Sequence, residues 1–233
     1  GRRFQLDGRF LSMPEFKEVA EFPGPEDHLT ELPLFQFGKW LFTSLNAQLD
    51  PSDFFGGIIS RMGWLPFENF QFRPELSNEY TVDAHWALYC ENYLEGFHIP
   101  FVHAGLNSVI DYGKYTTELY RFSNLQLGLG KDQDTVFELP ANSPDFGKQV
   151  AGYYFWVFPN MMFNFYPWGL SINVVRPLAP DLTKVSFYPY IWQADKLRSG
   201  AGADLDRVER EDEAVIELVQ KGIKSRMYDR GRY

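Results

Sequence analysis

Two of the chain's four histidines, His98 and His103, fall five residues apart in the segment CENYLEGFHIPFVHAGL, just behind Glu91 and Glu95; the others are His28 and His85. Imidazole beside carboxylate is the chemistry of a divalent metal site. On a helix Glu95 and His98, three residues apart, share a face. His98 and His103 diverge by roughly 140° on a straight helix at about 100° per residue. Pro100 lies between them and lacks a backbone donor, so it is expected to kink or end the helix and let the rings converge. Two imidazoles still need a third protein ligand for a durable site.

The far end of the chain offers one. Leu205, Val208, Val215, Ile216, Val219 and Ile223 follow the three-to-four spacing of a buried helical stripe. Asp212 falls near the middle of that stripe. Glu211 lies on its flank, Glu209 near the other edge, and Asp206, Glu213 and Glu217 face solvent. A carboxylate at the centre of a buried face must be paired, neutralised or metal-bound. A salt bridge to Arg or Lys would satisfy Asp212. With His98 and His103 it would instead form a two-histidine, one-carboxylate set, which suits mononuclear non-haem Fe(II) with positions open to O2 and substrate. Zinc with a hydrolytic water fits the same ligands.

Strands followed by one long helix must position these groups. FQLDGRFLSM carries Asp7-Gly8 between short apolar stretches, a hairpin signal. Residues 32–45 read as strands around Gly38, so residues 1–50 form a small β-rich unit. The turn-rich stretch 46–57, with Asp50-Pro51 and a Ser52 N-cap, marks the boundary to a second domain, 51–233. Short strands are expected over 70–89, a helix from about Trp86, and strands again over 112–129. The polar segment 131–149 reads as a loop and candidate lid. GYYFWVFPNMMFNFYPWGLSINVVRPL and TKVSFYPYIWQ read as an antiparallel meander, and a charged amphipathic helix runs from 204 to about 226. That order is α+β.

Composition narrows the partners. Net charge is −9, with Lys+Arg 22 against Asp+Glu 31, which argues against nucleic acid and anionic membrane. No apolar run approaches the roughly 18 residues that span a bilayer, and GRRFQLDGRF lacks the apolar core of a signal peptide. The one cysteine, Cys90, excludes internal disulfides and any cysteine-held cluster within this chain, and it fits a cytoplasmic home. Aromatic residues at 18% would furnish either a bulky core or an apolar pocket.

NYLEGFHIPFVH, residues 92–103, resembles the iron motif of the alpha subunits of Rieske non-haem iron ring-hydroxylating oxygenases: an acid, two residues, His, four residues, His. FPNMMFNFYPWGLSINVVRPLAP and EREDEAVIELVQKGIKSRMYDRGRY are similar as well, so the likeness spans nearly the whole chain. The resemblance implies a helix-grip fold, an antiparallel sheet around a long C-terminal helix, preceded by a β-rich remnant of a Rieske domain. It implies that His98, His103 and Asp212 ligate mononuclear Fe(II). Glu95 would be the acidic bridge carrying electrons from a Rieske [2Fe-2S] cluster in a neighbouring subunit, and Asn92 the Asn near that bridge. Phe97, Val102, Leu106, Asn160 and Asn164 are candidate pocket residues. The implied activity is mono- or dioxygenation of a small organic substrate with O2, electrons coming from NAD(P)H through a reductase or ferredoxin, in a homotrimer.

Three departures qualify the resemblance. His85 stands where the family usually has Asn before Trp. The bridging acid is Glu95, not Asp, as in relatives that act on quaternary amines such as choline or carnitine. The Cys-x-His and Cys-x-x-His pairs that hold the cluster are absent, so the chain reads as a piece of a longer protein and is not expected to turn over with NAD(P)H by itself. The rival expectations are a metal-free helix-grip domain binding an apolar ligand, and a zinc hydrolase.

Overall fold

The structure, a computed structural model, describes residues 1–131 and 136–231. The chain divides into two compact units, residues 1–49 and the residues from Asp50 onward. Two hairpins build the first. β1 (Arg3–Phe4) pairs with β2 (Phe10–Ser12), and β3 (Leu34–Phe37) with β4 (Trp40–Thr43). Their turns hold Gly8 at φ +84° and Gly38 at φ +56°, a left-handed backbone that a Cβ disfavours. Edge-to-face contacts run from Phe4 through Phe10 and Phe22 to Phe16 and form a small, partly exposed aromatic cluster.

The second unit opens with α1 (Ser52–Met62), β5 (Gln71–Phe72), β6 (Asn78–Val82) and α2 (Trp86–Leu94). The short helices α3 (Ile99–Val102) and α4 (Ala104–Val109) follow, then β7 (Thr116–Leu119), β8 (Ser123–Leu129), β9 (Val150–Val157), β10 (Met161–Tyr166), β11 (Gly169–Ala179), β12 (Leu182–Ile191) and α5 (Leu205–Gly222). The strands form one antiparallel sheet in the order β5-β12-β11-β10-β9-β8-β7, with β6 also pairing with β12. From β7 onward consecutive strands are neighbours, the meander expected from the punctuated apolar runs.

Side chains alternate across this sheet, and the two faces differ in chemistry. On one face Leu125, Phe155, Phe163 and Ile172 join Phe55, Ile58 and Met62 of α1 in an apolar core, with the Phe55 ring edge-on to Phe163. On the other, the register aligns Gln126, Tyr154, Asn164 and Ser171 in one row across β8 to β11. There Tyr80, Met162, Val175, Val185 and Phe187 pack with Tyr89 and Cys90 of α2 and Ile216 of α5. A sheet covered on both faces explains why its strands read as almost continuously apolar. The α+β, helix-grip expectation holds. No helix among the described residues is long and apolar enough to cross a membrane.

The segment expected to be a lid is tied down where it is described; residues 132–135 lie outside the described residues. Asp145 is fully buried and accepts from Arg61 Nε at 2.6 Å, Lys148 Nζ at 2.8 Å and Tyr153 Oη at 3.1 Å. Arg61 also reaches Glu118 of β7 at 2.8 Å. Burial raises the Asp145 carboxyl, but Lys148 and Arg61 outweigh it and hold it below the usual carboxylate value. Such a group stabilises the fold above its unfolded pKa of about 3.9 and loses that contribution as pH falls through the lower folded value. Asp145→Asn should cost about 3–5 kcal/mol at neutral pH. In urea melts its gap to the unmodified chain should close below about pH 4; a gap unchanged in acid would contradict the assignment.

Candidate metal centre

The backbone of α2 to α4 decides where the histidines point. α2 starts at His85, whose Nδ1 accepts from the Ala87 N–H at 3.2 Å, and ends at Glu95, which is extended at φ −111°, ψ 144°. The chain turns at Gly96, where a Cβ would come within 3.3 Å of the Tyr115 ring. The helix restarts behind His98 as α3, with Pro100 in its first turn, where a missing N–H costs nothing. A second break falls at His103, φ −102°, ψ 76°, before α4. This corrects the expectation of a kink at Pro100: the proline opens a short helix, and the breaks are at Glu95 and His103. Glu95 and His98 do not share a helix face either; the Glu95 side chain folds back onto the imidazole.

The rings of His98 and His103 lie with centroids 5.0 Å apart at 80°. Their Nε2 atoms reach the same oxygen, Asp212 Oδ1, at 3.4 Å and 3.0 Å. One ligand atom from each of the three residues lies within 4.8 Å of the other two, and among the described residues no further His, Cys, Asp or Glu joins the group. The outer nitrogens are held too, His98 Nδ1 2.6 Å from Glu95 Oε1 and His103 Nδ1 2.9 Å from Glu211 Oε2. A carboxylate on the far nitrogen fixes the ring and leaves Nε2 for a metal. Asn92 Nδ2 donates to Asp212 Oδ1 at 2.7 Å and orients the third ligand. Burial opposes a charged His103, but Asp212 and Glu211 outweigh it and raise its pKa, so a metal entering here displaces a proton. Two imidazoles and one carboxylate, with no fourth His, Cys, Asp or Glu beside them among the described residues, fit a non-haem Fe(II) centre with open positions.

Asp212 comes from α5, whose N-cap Asp204 accepts from the Arg207 N–H at 3.2 Å. The face that α5 buries is rotated by roughly 60° from the stripe its apolar residues mark. Its buried residues are Glu209, Ile216 and Gln220, while Val219 is 43% exposed and Asp212 is only half-buried. The cause is polar: α2 and its approach give this face partners. Tyr89 Oη donates to Glu209 Oε2 at 2.6 Å, and the His85 N–H to Gln220 Oε1 at 2.9 Å. Glu217, expected in solvent, accepts from the Asp83 N–H at 3.2 Å. Asp212 thus sits at the edge of the buried face, and Glu209 is the deeply buried acid.

A cavity of about 110 Å³ adjoins the three ligands. Asn92, Glu95, Leu106 and Glu209 line it beside them, and the polar face of the sheet contributes Gln126, Tyr154, Asn164, Tyr166 and Asn173. Tyr93 Oη donates to Asn164 Oδ1 at 2.7 Å, which ties α2 to β10. Of the expected pocket residues, Leu106 and Asn164 are in the lining. Phe97, Val102 and Asn160 are not. Phe97, beyond the helix break at Glu95, is 76% exposed, and Val102 is half-buried and outside the cavity lining. Asn160, in the β9–β10 turn, gives its Nδ2 to the Val175 carbonyl at 2.6 Å. The other sheet residues, Gln126, Tyr154, Tyr166 and Asn173, were missed, although Asn124 and Gln126 at alternate positions inside SNLQLGL marked a polar strand face.

Titrated anaerobically, the chain should take up Fe(II) near-stoichiometrically, with affinity falling as the solution is acidified through the raised His103 pKa. His98→Ala and Asp212→Ala should abolish uptake, and Asn92→Ala should weaken it about 10–100-fold. Full uptake by a folded Asp212→Ala chain would refute the ligand set.

Known proteins carry the same arrangement of chain. The family model described as "Ring hydroxylating alpha subunit (catalytic domain)" matches residues 67–233. Choline monooxygenase of Arabidopsis thaliana is 34% identical over 203 residues, covering 84% of this chain and 42% of that protein. The carnitine monooxygenase oxygenase subunit of Escherichia coli strain K12 is 24% identical over 237 residues, covering 97% of this chain and 60% of that one. The crystal structure of a quaternary ammonium Rieske monooxygenase with L-carnitine superimposes with a TM-score of 0.70 at 22% identity over 97% of this chain and 60% of the other. Naphthalene 1,2-dioxygenase with indole bound gives 0.66 at 14% identity over 95% and 60%, a likeness of fold alone. The chain thus spans roughly half the length of these curated relatives, from 42% to 60%. On this match the chain belongs to the ring-hydroxylating alpha-subunit family and carries its catalytic domain.

Proposed function

We propose that this chain is the catalytic portion of an O2-dependent oxygenase that hydroxylates a small quaternary ammonium compound at a mononuclear non-haem iron. The observation that carries the proposal is the meeting of His98 Nε2, His103 Nε2 and Asp212 Oδ1 beside a cavity, each histidine held from behind by a carboxylate. Ferrous iron, when bound, supplies the activation of O2. The chain's own residues do the rest. His98, His103 and Asp212 would hold the metal. Asn92 keeps Asp212 turned toward the histidines, and the aromatic and amide lining receives the substrate. The substrate class rests on the relatives, which are named for choline and carnitine.

Glu95 is proposed as the electron bridge. It contacts His98 Nδ1 while its own side chain is 31% exposed, so it links the centre to the surface. Phe97 and Phe101, two and six residues on in the chain, are 76% and 88% exposed, apolar surface of the kind that a docking redox domain covers. Cys90 is the chain's one cysteine, buried in α2 against the Pro159 carbonyl, so the [2Fe-2S] cluster of the proposed whole protein must be ligated elsewhere. A reductase drawing on NAD(P)H, trimeric assembly and the β-rich first unit as part of a Rieske domain belong to the same proposal. So does a cytoplasmic home, although the plant relatives are chloroplastic.

In full-length protein with its cluster, Glu95→Gln should retain iron and cluster but slow cluster-to-iron electron transfer about 10–100-fold in single-turnover absorbance traces. Unchanged transfer would remove Glu95 from the path. Product formation should require both Fe(II) and O2; turnover by the zinc-loaded protein without O2 would favour the hydrolase.

A further inference from the structure

Glu209 is the deeply buried acid of the site, and its bond to Tyr89 accounts for only half of its carboxylate. It is 3% exposed and lines the cavity, yet only one of its oxygens is used: Tyr89 donates to Oε2, and Oε1 has no partner. A buried carboxylate oxygen without a donor is costly, and it calls for a partner that the protein itself does not supply, a water, an ion or a ligand. Glu209 lies three residues before Asp212 on α5, one helical turn along a neighbouring face, so whatever it holds sits beside the metal ligands. Tyr154, Tyr166 and Phe187 also border the cavity, and no lysine or arginine is among its described lining residues. Aromatic faces and a carboxylate, with no lysine or arginine beside them, are the recognition chemistry of a desolvated organic cation.

We infer that Glu209 is the counter-ion of a cation subsite, seating the ammonium head of the substrate within the aromatic lining and thereby placing its neighbouring carbons at the metal. This rests on the oxygenase reading for the identity of the site, and it adds the residue that selects charge. Burial pushes the Glu209 carboxyl well above its usual range, a state that an entering cation reverses. Tyr89 holds the carboxyl in place, acting as a positioning residue.

The test is isothermal titration of the chain, metal-free and Fe(II)-loaded, with choline and with its neutral isostere in which a quaternary carbon replaces the nitrogen. The unmodified chain should bind choline about tenfold more tightly or better. Glu209→Gln should lower choline affinity to that of the isostere while leaving the isostere's own affinity unchanged. Equal binding of the two by the unmodified chain overturns the inference without any variant, even if Glu209→Gln does not fold. A folded Glu209→Gln chain that still prefers choline overturns it as well. Iron uptake is read separately: iron bound without a choline preference removes only the subsite, whereas a choline preference without iron removes the oxygenase reading and leaves the subsite standing.

Discussion

The centre depends on a single oxygen. Asp212 Oδ1 collects the Asn92 amide and the Nε2 atoms of His98 and His103, from two stretches of chain more than a hundred residues apart in sequence. That contact exists only while α5 lies against α2, and the two helices are locked by bonds that continue along the same seam. Tyr89 with Glu209 comes before it, and the His85 backbone with Gln220 after it. Hydrogen bonds of this kind are individually modest, but each would leave a buried polar group stranded if the helix slid, so the register of α5 is fixed far more sharply than its apolar residues alone would fix it.

The sheet completes the site from beneath. Its two faces have separate tasks, an apolar one gripping α1 and a polar one presenting Gln126, Tyr154, Asn164 and Asn173 beneath the helices. Antiparallel pairing places these side chains in rows, and a slip of one residue would exchange the two faces entirely. The bond between Tyr93 and Asn164 joins α2 to this polar face, so metal ligands and cavity floor are positioned by the same helix.

Much of this was legible in the sequence. The spacing of His98 and His103, the carboxylate of Asp212 and the strands-then-helix order need only local periodicity. The route by which the histidines converge was not legible. Pro100 is compatible with either a kink or a helix start, and only the tertiary contacts of Gly96 and His103 decide between them. The apolar stripe of α5 misplaced Glu209 because hydrophobic periodicity assumes an apolar partner, and here the partner offers hydrogen bonds. Phe97, Val102 and Asn160 lie outside the cavity, which is assembled in part from strands whose register the sequence does not state.

The central claim is that two imidazoles from this chain, and no more, meet one metal beside Asp212. Pulsed electron paramagnetic resonance of the ferrous nitrosyl adduct, which counts imidazole nitrogens coupled to the iron, tests it most directly. The account predicts two equivalently strong couplings in the unmodified chain and no iron-nitrosyl signal in His98→Ala, which does not hold the metal. A third imidazole, or couplings that persist unchanged in His98→Ala, would contradict it.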